Sequence, residues 1–362
     1  MSHKNEHSHY SDFLPYVSSD EARRRIFKIM NMYYDTYHGK QIYEKSYNRH
    51  LDTFKSGDFD KVPFSEDDFL KAFKAKNFWR DLYDCGSWLE FRFYTEPKKV
   101  KLYTANFCKR DRLCPACAVR RAYKQQRKFL SILANETSLT NQDWYYIVIP
   151  IKHSKEEPFE VVFGRIRSLL KRISMAMRNG KKGRTTNIFS RFAGAMYSIE
   201  TTYTRNGWNV HLNLLINANN GVPFPLNEVK NRRGQISYQN EDLRLFLLKH
   251  YDSQMHNVSR LSFTSSDEIR SHLVEVLKYS LKFSSLRPNH LIEFFVKTKG
   301  KRLFGTLGNL YGKGIEDVEL EGDVSLDGSF VELIFRRSLE DGLYYDYVFE
   351  RAKFVQTDKA NA

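Results

Sequence analysis

The sequence predicts an α+β fold in which helices flank a central antiparallel sheet, preceded by a helical amino-terminal region and a cysteine-rich segment. Three observations carry this prediction. From Trp144 onward the hydrophobic patterns run strand, helix, strand, strand, helix, strand, helix, an order that suits an antiparallel sheet covered by helices. The turn TRNG joins two long strand-like runs, which is a hairpin signal. All four cysteines, Cys85, Cys108, Cys114 and Cys117, fall within residues 85–117.

The composition sets the frame. The chain has 362 residues, 41% hydrophobic and 28% charged, with only 18 Gly and 9 Pro, so it is a globular chain of one large or two ordinary domains. A peptide-sized module, a low-complexity repeat and a largely disordered tail are excluded. Its 58 Lys and Arg against 43 Asp and Glu leave a formal +15, the sign expected of a protein that meets nucleic acid or anionic lipid. No run approaches the roughly 18 consecutive apolar residues of a membrane span. The opening MSHKNEHSHYSDF offers no apolar stretch for a secretory signal. The expectation is a cytoplasmic protein with no membrane partner.

Taken in order, residues 1–84 are rich in charge and aromatics, with helical patterns near Glu21 to Met30 and Glu66 to Tyr83 and no recognisable chemical motif. Residues 85–130 hold the cysteines, two strands (Trp88 to Tyr94 and Lys101 to Ala105) and the basic helical run VRRAYKQQRKFL. A third unit, residues 140–300, begins with the compact strand WYYIVIP. An amphipathic helix follows over Phe159 to Met177, then an exposed loop at RNGKKGR, a strand over Phe192 to Tyr203 and its hairpin partner Trp208 to Asn217. A short helix at Glu241 to Tyr251, a strand at Val258 to Phe263 and a helix capped by Ser265 or Ser266 complete it. Residues 301–362 form a mixed extension: GTLGNLYGKG has loop chemistry, whereas VELIF and YYDYVF are strand-like.

The cysteine spacing, Cys108 then five residues, Cys114, then two, Cys117, suits thiolate ligation. Cys85 supplies a fourth sulfur across the intervening strand pair. Four thiolates close the coordination sphere of tetrahedral zinc, so this site is structural. Buried apolar thiols or a redox-active CxxC are the alternatives. Positive charge concentrates in two stretches. Lys101 to Lys128 holds nine Lys or Arg against one Asp, and Arg165 to Arg184 holds eight against none. Such concentration favours a phosphate-contacting face, with Arg120, Arg121, Lys124, Arg127 and Lys128 as the first candidates; a solvated helix side is the plain alternative.

With Arg205 and Asn206 at the centre of the hairpin turn, Thr201 pairs with Val210, Glu200 lies opposite His211 and Ser198 opposite Asn213. Strand alternation then sends Glu200, His211 and Asn213 to one face. Carboxylate, imidazole and amide are an acceptable donor set for Mg or Mn. Each could instead be a packing or hydrogen-bonding residue. In SSDEIRSHLVEVLKYSLKFSS, Glu275, Tyr279 and Lys282 share one helical face, which is either an ordinary wet side or a carboxylate, phenol and ammonium aimed at a substrate.

Together these motifs resemble the rolling-circle replication initiators of small bacterial plasmids, within the wider class of His-hydrophobic-His (HUH) endonucleases. The likeness rests on CGS at Cys85 to Ser87, NFCK at Asn106 to Lys109, RLCPAC at Arg112 to Cys117 with Arg120 and Arg121 after it, VHLNLL, IETTY and EVLKYSLK, over about residues 80 to 310. Where the family has its second histidine this chain has Asn213. The resemblance implies an HUH-like sheet with Mn or Mg held at His211, Glu200 and Asn213. It implies Tyr279 as nucleophile on single-stranded or extruded plasmid origin DNA, giving a 5′-phosphotyrosyl link and a 3′-OH. Glu275 would activate water at termination, Lys282 would contact phosphate or tyrosinate, and Lys278 would touch the DNA backbone. A host helicase and a DNA polymerase are the implied partners, in a bacterial cytoplasm. The alternatives are a non-catalytic zinc DNA-binding protein, a transposase or relaxase with the same chemistry, and an RNA-binding or ribonucleolytic protein.

Overall fold

A computed structural model describes residues 17, 19–96, 98–135, 143–180, 187–218, 224–230, 236–253, 256–261, 286–313, 330–338, 340 and 343–346. The fold is α+β, with antiparallel sheets and helices. Two compact units are present: Met1–Asp52 with Phe73–Arg121 and Val318–Ala362, and Thr53–Ala72 with Ala122–Asp317. No described helix is long and apolar enough to cross a membrane.

In the first unit, α1 (Asp20–Lys55) runs far beyond the expected Glu21 to Met30. Its buried stripe starts as a plain helical repeat, Ala22, Ile26, Met30 and Tyr33, and then turns polar with Thr36, Lys40, Ser46 and His50. The helix expected over Glu66 to Tyr83 is two helices, α2 (Glu66–Phe73), which belongs to the second unit up to Ala72, and α3 (Phe78–Tyr83) of the first. The break falls at KAKN, where α3 starts anew from Asn77. Strands β1 (Trp88–Tyr94) and β2 (Lys99–Ala105) form a hairpin that brings the chain back from Cys85 toward Cys108. Helix α4 (Pro115–Asn135) opens with Pro at its first position, where a missing N–H costs nothing.

The second unit is built on a five-stranded antiparallel sheet. Its strands are β3 (Trp144–Pro150), β4 (Phe192–Thr204), β5 (Gly207–Ala218), β8 (Asn257–Leu261) and β9 (Phe304–Gly308), in the order β8-β3-β5-β4-β9. The hairpin register is the expected one, Thr201 with Val210, Glu200 with His211 and Ser198 with Asn213. Gly207 closes the turn at φ +88°, and a Cβ there would lie 2.9 Å from the carbonyl oxygens of Ser154 and Lys155. The segment with loop chemistry, GTLG, is instead the edge strand β9. Its Gly308 at φ +63° lies close against Gly194 and the Ala193 carbonyl, so glycine here serves close approach as well as turning.

Strand alternation gives the sheet two unlike faces. Trp208, Val210, Leu212, Leu214 and Ile216 point to the side covered by α5 (Phe159–Gly180) and α7 (Pro288–Thr298). The apolar repeat of α5, Phe159, Val162, Phe163, Ile166, Leu169 and Ile173, is wholly buried. Phe159 packs against both Trp208 and Phe294, at centroid distances of 4.8 and 5.7 Å. On the opposite face Trp144, Met196, Leu215 and Leu261 gather with Phe129 and Ile132 of α4 and with Leu310. Each such fully buried side chain contributes about 1.5–3 kcal/mol by leaving water. A separate hairpin, β6 (Asn227–Lys230) with β7 (Ile236–Gln239), which the hydrophobic pattern does not mark, precedes α6 (Glu241–Tyr251). The first unit's sheet has the order β11-β10-β1-β2, where β10 (Phe330–Arg337) and β11 (Tyr344–Asp346) come from the strand-like VELIF and YYDYVF segments.

Candidate functional site

The cysteine cluster is built by side chains adjoining the four sulfurs. Gly86 follows Cys85 at φ +69°, and a Cβ there would lie 2.1 Å from the Tyr33 ring, so only glycine fits this turn. Asn106, first residue of NFCK, ties that turn to the returning strand: its amide donates to Ser87 Oγ at 2.7 Å and to the Asp84 carbonyl, and its oxygen accepts from Trp88 N at 3.0 Å. Arg110 donates to the Cys108 carbonyl at 3.0 Å and to Asp81 at 3.1 Å. Cys114 and Cys117 come from the turn into α4 and its first turn, where Cys114 N donates to the Arg110 carbonyl at 2.8 Å.

All four sulfurs are buried and lie within 4.8 Å of one another, with Sγ separations of 3.6 Å for Cys85–Cys114 and Cys85–Cys117 and 3.5 Å for Cys108–Cys117. None is in a disulfide. A tetrahedron of sulfurs about 2.3 Å from zinc has edges of about 3.8 Å, so the Cys85–Cys114, Cys85–Cys117 and Cys108–Cys117 pairs lie near the spacing that zinc requires. Burial and the neighbouring sulfurs push the Tyr33 phenol well above its usual range, which keeps it neutral beside them.

The basic candidates after this cluster divide by role. The Arg120 guanidinium lies 3.7 Å over the Phe107 ring, and Arg121 pairs with Asp111 at 2.7 Å, so both brace the cysteine segment. Lys124, Arg127 and Lys128 lie further along α4, with Lys128 exposed and Phe129 beside it in the core.

The second constellation lies on the sheet face that also bears the Trp144, Met196, Leu215 and Leu261 cluster, toward the end where β3 finishes. There β4 contributes Ser198 and Glu200, β5 contributes His211 and Asn213, and β3 contributes Tyr146. Asn213 is buried at 2% exposure, whereas Glu200 and His211 are half-buried. The Asn213 amide nitrogen faces Glu200 Oε2 at 3.4 Å, and its oxygen accepts from the Tyr146 hydroxyl at 3.3 Å. An ionised carboxylate only accepts, so the amide must turn its NH2 to Glu200 and its oxygen to the phenol. One lone pair of that oxygen has no partner among the described residues. Carboxylate oxygen, imidazole nitrogen and amide oxygen on one face fit a hard divalent cation. Tyr146 was missed by sequence reasoning, though its parity on β3 with Val148, the partner of Asn213, placed it on that face.

Glu275, Lys278, Tyr279 and Lys282 lie outside the described residues, as does the expected cap at Ser265 or Ser266.

With the fold and these sites described, comparison with known proteins adds one likeness. The chain is 34% identical over 76 residues to a curated protein named "Protein rep" from Bacillus sp. The matched stretch is 21% of this chain and 24% of that protein, so the chain spans about a quarter of that relative's length. No family model matches the chain, and no solved structure matches it.

Proposed function

We propose that the protein is a plasmid rolling-circle replication initiator, a DNA strand transferase that nicks and rejoins origin DNA. The observation that carries this reading is the convergence of Glu200, His211 and Asn213 on one sheet face, in the register that the hairpin turn dictates. The likeness to the curated "Protein rep" supports it. The cysteine cluster and the formal +15 support a polyanion partner held by a stapled basic segment.

In this reading the Tyr279 oxygen attacks a phosphodiester of single-stranded or extruded origin DNA. A Tyr–O–P bond forms, the P–O3′ bond breaks, and the departing oxygen takes up a proton to become the 3′-OH that a polymerase extends. His211, Glu200 and Asn213 would hold a Mn or Mg ion, which would supply positive charge against the phosphate oxygens. Lys282 steadies the phosphate or the tyrosinate, and Glu275 takes a proton from water when a strand is released. Zinc in the four cysteines would hold the segment, braced by Arg120 and Arg121, from which Lys124, Arg127 and Lys128 meet the DNA backbone, with Lys278 as a further contact. A host helicase would open the duplex, and the reaction belongs in a bacterial cytoplasm.

The test is a denaturing-gel assay with 5′-labelled and 3′-labelled single-stranded origin oligonucleotides in Mn, Mg or EDTA. Metal-dependent cleavage that leaves protein on the 5′-phosphate, lost in Tyr279→Phe with binding retained, is the expected result. Binding without cleavage in every metal would leave a zinc-containing DNA-binding protein. Cleavage with an adduct in Tyr279→Phe would move the nucleophile to another tyrosine.

A further inference from the structure

Lys40 is an anomaly in the first unit. It lies on the buried stripe of α1 with no exposed surface. Its ammonium has one hydrogen-bond partner among the described residues, the Cys85 carbonyl at 3.5 Å, and it pairs with no carboxylate there. Charged side chains are almost never fully buried unless paired, because a carbonyl dipole replaces little of the lost hydration. Arg337, the last residue of β10, repeats the pattern at 4% exposure. It donates to the same Cys85 carbonyl at 3.4 Å and to the Tyr83 carbonyl, and stacks 4.1 Å over the Tyr37 ring. Its Nε is buried without a partner, and it too pairs with no carboxylate among the described residues.

Two buried cations thus meet at the carbonyl of one cysteine, beside three more. Four neutral thiols would leave both cations without an opposite charge, and so would two disulfides. Four thiolates around a dication carry two negative charges, which two cations balance.

We infer that Lys40 and Arg337 are the counter-charges of a four-thiolate dication site, and that they set both its affinity and its preference for a site bearing two negative charges. This rests on the zinc reading of the cysteines. The role is positioning and electrostatic, since neither side chain would touch the ion. It explains why α1 carries a lysine in its buried stripe. It also explains why β10 ends in a buried arginine, and Tyr344, whose hydroxyl donates to the Gly86 carbonyl, is a further tie between the carboxy-terminal strands and the cysteine turn.

The test uses the full chain, with zinc per chain measured first and zinc affinity then followed by competition with a chromophoric chelator. The charge-transfer band of the cobalt-substituted protein reports the ligand set independently of any DNA reaction. Lys40→Met and Arg337→Met are each expected to weaken zinc retention by about 10- to 100-fold, and Lys40→Arg to restore most of the Lys40→Met loss. The decisive comparison is Cys114→His, which leaves one negative charge on the site. It should weaken zinc binding in the wild-type background and strengthen it in the Lys40→Met background. Equal losses in both backgrounds, or methionine variants within about twofold of wild type, would overturn the inference. If Lys40→Met folds only when Cys114→His accompanies it, the charge account stands; if neither form folds, it falls. A wild-type protein that binds no zinc rejects the metal reading itself, and the inference with it.

Discussion

Glu293 shows how one buried group can set solution behaviour. It sits on α7 at 7% exposure, and burial pushes its carboxyl up from the ordinary 4.5 to about 7, although Lys297, the Trp208 indole and the Phe159 amide favour the charged form. The folded state therefore holds a proton that the unfolded chain has already lost. Stability is fully present below pH 4.5, falls as pH rises toward 7 and stays reduced above it. Glu293→Gln keeps an acceptor for the indole and removes the charge. It should flatten this fall and gain about 2–3 kcal/mol at pH 8, read from urea melts of the two proteins at pH 5 and pH 8. Gly86 gives the opposite case. Gly86→Ala meets both a positive φ and the Tyr33 ring, so it should cost at least about 2 kcal/mol and loosen zinc, which thermal melts with and without a chelator would register.

At the scale of elements, legibility followed how local the cause was. The hairpin of β4 and β5 could be placed to the residue because its turn chemistry and strand alternation lie within one short stretch. Helix α6 was equally plain: Asn240 caps it by accepting from Leu243 N at 2.9 Å, and its bounds are those expected. The length of α1 was hidden because Thr36, Lys40, Ser46 and His50 occupy its buried stripe, so the apolar period fades after Tyr33. Strand β9 was hidden by glycines that serve close approach to Gly194 and Ala193. In the candidate site the pairing of Glu200, His211 and Asn213 was legible, whereas Tyr146 needed the register of a third strand. Element packing also predicts a large local cost. Phe129 joins α4 to the sheet face through Trp144, 6.0 Å between rings, and Phe129→Ala should destabilise that unit by about 3–5 kcal/mol in chemical denaturation.

At the scale of the molecule, the first unit is closed by segments far apart in sequence. Strand β10 pairs with β1 from Trp88 with Arg336 to Tyr94 with Phe330, and the Arg92 to Glu332 contact bridges 240 positions. Sequence patterns mark both as strands but cannot say that they are partners. A chain ending at residue 329 would lose β10, β11, Arg337 and Tyr344 together and leave β1 as an open edge. It should lose zinc to a chelator far faster than the full chain and aggregate, as light scattering would show; equal zinc retention would refute the closure. The same pairing imposes a timetable on synthesis. At about 5–20 residues per second, a ribosome needs roughly ten to fifty seconds after making β1 before β10 exists. Through that interval the nascent chain carries four thiols and an unpartnered strand in a crowded cell, so delivery of a metal to the cluster would compete with oxidation and with pairing between neighbouring chains on one messenger.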